Sequence, residues 1–240
     1  QDLGAWGPFD QSQFTWTNFS ADSSRNFIVG MRRLATETWR PDLAPQLLQS
    51  APRGFKVYGS EPRIALRVDS GNVTQQWTAG VRAVREDIDF LVGNTGLDNG
   101  VYTLVRNWQF KDRAWSAYVS DAIGLFNDRL TVTPGLRYEH LNSTYLNRAN
   151  GISTQNNVRN ALPGLTVGYK ASSQWYVYAD AQRSLRAPQV TQIIYGDNLD
   201  SELAWNYEAG ARYTPVEGTS INLDVYRIDF DKQIQLDNTT

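Results

Sequence analysis

Apolar and polar residues alternate one by one along several segments of this chain. In residues 130–140, LTVTPGLRYEH, one set of alternate positions is mostly apolar and the other is small, polar or charged. Successive side chains of a strand point to opposite faces of a sheet, so a period of two predicts a strand with one apolar and one polar face. The pattern recurs at 75–85, 161–169, 175–182 and 206–213. No segment has a convincing helical period, so the chain is predicted to be all-β.

Ten strands are predicted when the whole chain is read in this way. The last of them changes hydrophobic phase between Val225 and Tyr226, which predicts a β-bulge at that point. The ten strands are predicted near residues 13–20, 25–38, 54–69, 72–90, 103–125, 129–142, 158–170, 174–185, 203–214 and 219–236.

Short and long connections alternate between these predicted strands. Tight turns are predicted at 22–24, 69–72, 126–128, 171–174 and 215–218, and long connections at 39–53, 91–106, 143–157 and 186–202. Consecutive connections of an up-and-down meander lie at opposite ends of the sheet, so one end carries turns and the other carries large loops. Transmembrane barrels have this asymmetry, with short periplasmic turns and long extracellular loops.

The predicted strands are also long enough for a membrane. About 9–11 residues cross a bilayer at barrel tilt, whereas strands of soluble proteins average about 5–6. Charges on the polar positions suit a wet or plugged lumen, because burying them dry is costly; they are Arg82, Arg137, Glu139, Glu208 and Arg212. We therefore predict an antiparallel up-and-down transmembrane β-barrel whose apolar face meets lipid. A soluble all-β fold is the alternative.

Composition removes several kinds of chemistry. The chain has no cysteine and one histidine, His140, which excludes disulfide scaffolds, thiolate metal sites and constellations that need two histidines. A net charge of −2 and the absence of a basic block disfavour a nucleic-acid partner. No nucleophile elbow, phosphate loop or paired catalytic carboxylate stands out. We expect a protein that is not an enzyme and holds no resident cofactor or metal.

A more specific signal lies in residues 184–213, SLRAPQVTQIIYGDNLDSELAWNYEAGARY. This stretch resembles the part of TonB-dependent siderophore receptors where a Phe-Arg-Ala-Pro element precedes a loop that is followed by Leu-x-Pro-Glu and Asn-Tyr-Glu-x-Gly-x-Arg-Tyr. Leu185 replaces the phenylalanine and Ser201 the proline. TVTPGLRYEH and VYRIDFDKQI also resemble segments of this family. The residues that match are Arg186, Ala187, Pro188, Glu202, Asn206, Tyr207, Glu208, Gly210, Arg212 and Tyr213.

The resemblance implies a fold, a location and partners. It implies an outer-membrane barrel of about 22 strands closed by an N-terminal plug, of which residues 1–240 form part of the barrel domain without the plug. With the short turns in the periplasm, both ends of the chain are expected on the outer side. The implied partners are a ferric siderophore, outer-membrane lipid and lipopolysaccharide, and the TonB–ExbB–ExbD motor, reached through a region outside this chain. Iron would enter only as part of the transported complex.

Within the family, the chain most resembles receptors for ferric citrate. APRGFKVYGSEPR (51–63) resembles a strand of those receptors, and Arg53 and Arg106 fall on positions that contact citrate. Asn238 replaces a glutamine that contacts the ligand. Guanidinium binds carboxylate through paired, charge-assisted hydrogen bonds, so these arginines suit an anionic ferric carboxylate complex.

Other candidate ligand contacts lie nearby in the sequence. Glu37 stands where a third ligand-contacting arginine is expected, and Arg40 is close enough in sequence to compensate. Gln189 and Gln192 follow the Arg-Ala-Pro turn and are further candidates. For all of these residues, ordinary solvated or lipopolysaccharide-facing positions are the alternative. Active import of a ferric siderophore is the first functional hypothesis. The others are a passive porin-type channel, an outer-membrane protease and a soluble carbohydrate-binding domain.

Overall fold

The computed structural model describes residues 12–31, 47–194 and 199–232, which form one antiparallel sheet. Each of its nine strands pairs with its neighbours in sequence, and the all-β, up-and-down prediction is confirmed. No helix among the described residues is long and apolar enough to cross a membrane. The elements are β1 (Gln13–Met31), β2 (Leu47–Ser70), β3 (Val73–Gly96), β4 (Tyr102–Leu125), β5 (Leu130–Asn147), β6 (Ser153–Lys170), β7 (Trp175–Arg186), α1 (Val190–Ile193), β8 (Glu202–Tyr213) and β9 (Ile221–Lys232).

The connections separate into two edges of the sheet. The turn edge carries the links 71–72, 126–129, 171–174 and 214–220, and the loop edge carries 97–101, 148–152 and 187–201. Gly71 and Gly218 adopt positive φ angles of 59° and 80° at the turn edge. Side chains with a Cβ are strained in this region, so glycine allows these two links to reverse tightly.

The first two predicted strands are in fact one strand, so the turn predicted at 22–24 is wrong. Asp22, Ser23 and Ser24 pair in unbroken register with Lys56, Phe55 and Gly54 of β2. These residues are common in turns, but an exposed hydrogen-bonded ladder accepts them equally well. As a result, β1 starts at the turn edge, whereas the sequence reading had the first strand start at the opposite end.

Two predicted long connections are short hairpins. The spans 91–106 and 143–157 shrink to 97–101 and 148–152, because the flanking strands continue past the point where apolar alternation stops. The β3 strand is 24 residues long, which corresponds to roughly 80 Å along the strand. A strand segment that lies outside lipid is held by its backbone hydrogen bonds and does not require an apolar face. Hydrophobic periodicity therefore underestimates the length of such strands. The long connection predicted at 186–202 is confirmed as 187–201.

The bulge predicted in the last strand is also wrong. Pairing of β8 with β9 is regular from Ala204 to Tyr213, and its one irregularity lies between Leu203 and Ala204. The change of hydrophobic phase has a different cause. Tyr226, Ile228 and Phe230 lie on the opposite face from Val225, so beyond Val225 the apolar residues of β9 simply occupy its other face.

One face of the sheet, here called the belt face, carries an apolar belt next to the turn edge, interrupted by the hydrogen-bonded pair Gln75 and Asp121. Along β5 the belt runs from Leu130 to Tyr138, about 27 Å of strand. A barrel tilt of about 40° reduces this to about 20 Å of height, near the ~25 Å apolar band of outer-membrane barrels. Large apolar side chains exposed on this belt include Trp77, Val81, Val119, Leu136, Leu165, Trp175 and Tyr207.

Aromatic pairs mark the two limits of the belt. Trp175 and Tyr213 stack at 4.5 Å between ring centroids near the turn edge. Trp115 and Tyr138 lie 5.4 Å apart at the other limit. Tryptophan and tyrosine favour the membrane–water interface because they join an apolar ring to a polar tip. This arrangement fits a sheet whose belt face meets lipid.

The opposite face, here called the polar face, is crossed by a network of charges and hydroxyls. The Tyr118 hydroxyl donates to Glu61 Oε1 at 3.0 Å, and Arg137 Nη2 donates to Ser116 Oγ at 2.8 Å. The Arg137 guanidinium also lies 5.5 Å from the Tyr118 ring centroid. The charged residues predicted for this face, Arg82, Arg137, Glu139, Glu208 and Arg212, all fall on it.

We predict that Gly80→Ala weakens the sheet by disturbing Tyr118. A Cβ at Gly80 would lie 2.5 Å from the Tyr118 hydroxyl oxygen, so that side chain must move away from Glu61. We expect the free energy of unfolding of the full-length protein in detergent to fall by about 1–2 kcal/mol. Gly54→Ala is the control, because nothing lies within 4 Å of its added Cβ. Equal stability of the two variants would contradict the packing described here.

Candidate functional site

Aromatic and arginine side chains gather on the polar face near the loop edge. We call this group the arginine–aromatic cluster; its members are Phe27, Arg53, Phe90, Arg106 and Trp108. Strand register brings them together, because Arg53 pairs with Phe90 and Phe90 pairs with Trp108 across β2, β3 and β4. Arg106 lies two residues from Trp108 and therefore shares its face.

Arg53 lies between two aromatic rings. Its guanidinium carbon is 4.5 Å from the Phe90 ring centroid and 5.4 Å from that of Phe27. Its Nε is buried and makes no hydrogen bond among the described residues. Ring contacts hold the guanidinium by cation–π attraction, while the in-plane N–H groups of a stacked guanidinium stay directed at other partners. The Arg53 guanidinium is therefore held in place by the two rings, while its Nε–H has no acceptor among the described residues.

Arg106, on β4, also lies against an aromatic ring. Its guanidinium carbon lies 4.7 Å from the Trp108 ring, and Trp108 stacks on Phe90 at 5.5 Å. The two arginines are separated by two strand spacings and one row of the polar face, which places their Cα atoms roughly 12 Å apart. Two long side chains at this spacing can converge on one anion held between them.

An apolar base supports the cluster from the side of β5. Phe110 and Tyr145 pack at 5.3 Å between ring centroids, and Ile193 of α1 lies against them with 1% of its surface exposed. Phe90 and Trp108 pack against the same base. The start of the long connection, through α1, is thereby anchored beside the cluster by a buried aliphatic side chain.

The ends of that connection are fastened by polar contacts. Arg186 Nη1 donates to Glu202 Oε2 at 3.1 Å, and Glu202 is 6% exposed. Asn160 Nδ2 donates to the Ser201 hydroxyl at 2.8 Å. Arg186 therefore closes the base of the loop. The next acid along the chain, Glu208, accepts a hydrogen bond from Tyr178 at 2.8 Å.

The predicted ligand contacts have different outcomes in the structure. Arg53 and Arg106 lie on one face in one cluster. Gln189 and Gln192 flank the start of α1, and Gln192 Oε1 accepts the Gln189 backbone N–H at 2.7 Å, so this oxygen already caps its own helix. Three other positions discussed from the sequence lie outside the described residues: Arg40, Asn238 and Glu37. Ligand contact by any of these residues stays a prediction.

Sequence reasoning missed the aromatic members of the cluster. Trp108 was recoverable, because a residue two positions from Arg106 on a strand shares its face. Phe27 and Phe90 enter the cluster because β1 and β3 pair with β2. The register of such long strands cannot be predicted from the sequence. Ile193 lies inside 186–202, which the sequence predicted only as a long connection.

Metal ligands do not gather in the described part of the chain, where no group of three His, Asp or Glu residues could hold an ion. His140 lies on the belt face, away from the cluster, and its Nδ1 accepts a hydrogen bond from Trp115 Nε1 at 2.8 Å. The charged groups of the cluster are guanidiniums, which bind anions through charge-assisted hydrogen bonds.

Fold and site together define a class of protein. A meander with a lipid-height apolar belt on one face and a charged network on the other is the wall of a large membrane barrel. Residues 2–240 match the family model described as "TonB dependent receptor-like, beta-barrel", so the chain belongs to this family. Proteins of this family are β-barrels of the outer membrane of Gram-negative bacteria.

Solved structures share this fold. The unliganded ferric citrate transporter FecA matches 98% of this chain with a TM-score of 0.82 and 24% identity. The siderophore receptor PiuA of Acinetobacter baumannii matches 90% with a TM-score of 0.70 and 14% identity. The ferric-catecholate import receptor Fiu of Escherichia coli K12 matches 95% with a TM-score of 0.64 and 11% identity. The chain covers 34%, 37% and 39% of these proteins.

We predict that Ile193→Ala releases the 187–201 connection from the sheet. Removing a fully buried aliphatic side chain typically costs about 2–4 kcal/mol, and here the loss falls on the contact between α1 and the aromatic base. Amide hydrogen exchange within 187–201 of the full-length protein should accelerate at least about tenfold. Ile152→Ala makes the same chemical change at a residue that is 58% exposed, and exchange in 187–201 should then stay as in the wild type. Unchanged exchange in the Ile193 variant would show that α1 does not anchor the loop.

Proposed function

We propose that this chain forms part of the wall and ligand-binding mouth of a receptor that imports ferric citrate, or a similar anionic ferric carboxylate complex, across the outer membrane. The observation that carries the proposal is the arginine–aromatic cluster. Two guanidinium groups share one face, both rest on aromatic rings, and Arg53 keeps a buried donor without a partner among the described residues.

The chemistry of the cluster favours a carboxylate complex. A ferric carboxylate is anionic and presents several oxygens in planar pairs, and guanidinium matches such pairs with two parallel hydrogen bonds. Neighbouring rings exclude water from one side of each guanidinium, which strengthens its attraction for an anion. A ligand carrying negative charge on two sides would offset the repulsion between the two arginines.

The height of the cluster favours capture from outside. Phe90 lies nine residues beyond Val81, the last belt residue of β3, so the cluster stands roughly 20 Å above the belt at barrel tilt. With the turn edge in the periplasm, the cluster faces the outer medium beside the 187–201 connection. The loops of the loop edge would then surround the captured complex.

Import against a gradient requires an energy source that the sheet does not contain. As a member of the TonB-dependent family, the protein would draw on the TonB–ExbB–ExbD motor of the inner membrane through a plug segment seated in the lumen. Iron would pass as cargo, without a resident cofactor. The charged network around Glu61, Tyr118 and Arg137 would line the lumen against that plug.

The proposal predicts that Arg53→Ala/Arg106→Ala lowers the affinity of the full-length protein for ferric citrate at least about 100-fold, since each charge-assisted hydrogen bond is worth about 1.5–3 kcal/mol. Intrinsic tryptophan fluorescence of the purified protein, titrated with ferric citrate, measures this. Arg67→Ala is the matched control: it removes an arginine from the same face at the turn edge, where Arg67 pairs with Asp69 at 3.2 Å. The conservative double variant Arg53→Lys/Arg106→Lys keeps both charges without the planar donor pairs and should give an intermediate loss.

Each other result points to a different error. Saturable binding that both double variants keep would retain the ligand and discard the cluster as its site. No binding to the wild type, with binding of another ferric siderophore, would retain the receptor class and discard citrate. Uptake by cells that persists without the TonB motor would replace active import by a passive channel.

A further inference from the structure

The polar face carries another pair of bases at the turn edge. Lys170 of β6, Tyr176 of β7 and Arg212 of β8 occupy one row of this face, because Lys170 pairs with Tyr176 and Tyr176 pairs with Arg212. Neighbouring strands lie about 4.8 Å apart, so the Cα atoms of the two bases are roughly 10 Å apart. An ammonium and a guanidinium therefore flank one aromatic ring.

A cavity of about 620 Å³ opens over this row, and we call it the rim pocket. Ligand sites of proteins commonly have volumes of about 300–1,000 Å³. The side chains that line it carry bases, hydroxyls, one amide and one indole, and no acid is among them. Its lining includes Lys170, Arg212, Tyr176, Thr131, Ser173 and Trp175.

The ring and the guanidinium of the row are held in place by their neighbours. Tyr176 stacks with Tyr178 at 6.2 Å between ring centroids, and it lies across Gly168, where a Cβ would collide with the Tyr176 hydroxyl. Arg212 Nε donates to Asn222 Oδ1 at 3.0 Å. That bond orients the guanidinium and leaves the donors of its two terminal nitrogens for another acceptor.

The positive charge of the row is uncompensated in the described part of the chain. Lys170 and Arg212 are exposed and make no ion pair with the residues that the structure describes. The acids on the next two rows of β8 and β9, Asp224 and Glu208, lie farther from the turn edge, and both contact the Tyr178 hydroxyl. Two unpaired bases around a polar cavity attract an anion.

The lining suits an anion that carries charge on two sides. Guanidinium binds a carboxylate through two parallel hydrogen bonds, whereas ammonium is a compact charge with three donors that rotate to suit the acceptor. A ligand that spans the row would place one carboxylate on each base. The hydroxyls of Thr131 and Ser173 could donate to its remaining oxygens. The arginine–aromatic cluster offers a similar combination of two bases and aromatic rings at the opposite end of the sheet.

The rim pocket lies far from the arginine–aromatic cluster. Thr131 of the pocket pairs with Gly124 of β4, which lies on the same face of that strand as Trp108 of the cluster, roughly 40 Å away in height at barrel tilt. Charges in physiological salt are largely screened beyond about 10 Å. The two places therefore bind independently, and a ligand at one does not contact the other.

We propose that the rim pocket is a second, weaker binding site for the imported ferric carboxylate complex, on the exit side of the barrel. It would hold the anion after release from the cluster and before entry into the periplasm. The inference rests on the proposed function, which supplies the ligand and places the turn edge in the periplasm. Binding is weaker than at the cluster because both bases are exposed to solvent, where charge pairs contribute little.

The test uses the full-length protein, labelled with fluorotryptophan, purified in detergent and titrated with ferric citrate. Trp175 lines the pocket, and its fluorine resonance is assigned with the Trp175→Phe variant. Ferric iron broadens nearby resonances, and the effect falls steeply with distance, so Trp175 reports on the rim pocket and not on the cluster. Once the cluster is saturated, further ferric citrate should broaden the Trp175 resonance. Gallium citrate, which is diamagnetic, should not broaden it.

Variants assign the broadening to the two bases. Lys170→Ala/Arg212→Ala should weaken the binding that broadens Trp175 at least about tenfold, and Lys170→Arg/Arg212→Lys, which keeps both charges, should lose less. Tight binding at the cluster should persist in both variants and shows that they are folded. Arg129→Ala is the matched control, because it removes a base at the same edge that lies over Tyr169 on the belt face. It should change nothing.

Three results would overturn the proposal. A wild-type protein that binds ferric citrate tightly without broadening of Trp175 has no exit site. Equal broadening in the wild type and in Lys170→Ala/Arg212→Ala would place the ligand on other groups. Suppression by an equal concentration of sulfate would mean a general anion site. Broadening of Trp175 without tight binding elsewhere would support the rim pocket and contradict the proposed function, so the two ideas fail separately.

Discussion

The hydrogen-bond ladder between neighbouring strands is the constraint on which the rest of this structure depends. Hydrocarbon offers no partner for a backbone N–H or C=O, so every peptide group of the belt must pair with an adjacent strand. The register from β1 to β9 shifts in two of the described strand pairs, β3–β4 and β8–β9, and pairs are also missing beside Pro52, Pro62 and Pro134, which have no N–H to donate. Once the register is set, each side chain belongs to one of two faces, and its chemistry is set by what that face meets.

The same ladder assembles the candidate binding site. Arg53 and Arg106 are 53 positions apart in sequence, yet they share a face and lie two strands apart because β2, β3 and β4 pair in this register. A shift of one residue in either pairing would move an arginine to the opposite face of the sheet, away from the other arginine. The site is therefore specified by long-range pairing, and its aromatic supports make each guanidinium costly to displace.

Prediction from the sequence succeeded where lipid imposes a pattern and failed where it does not. The belt segments of β5 and β6 alternate cleanly because one face must be apolar, so the strand type, its faces and the polar charges such as Arg137 were predicted correctly. Above the belt both faces meet water, and no alternation is required. The extensions of β3 and β4, the continuity of β1 through Asp22 and the helix α1 therefore left no periodic signal. Arg53 and Arg106 were singled out by family resemblance, and ligand contact by them stays a prediction; Phe90 and Ile193 needed three-dimensional pairing.

Strand β4 carries two separate systems on its opposite faces. Trp108 and Trp115 are seven residues apart, an odd number, so one supports Arg106 on the polar face and the other supports His140 on the belt face. Both places combine a tryptophan with basic groups, but they differ in height and in neighbour. The first lies near the loop edge, and the second lies just beyond the apolar belt. Because a single strand carries both, a shift in the register of β4 would displace both places together.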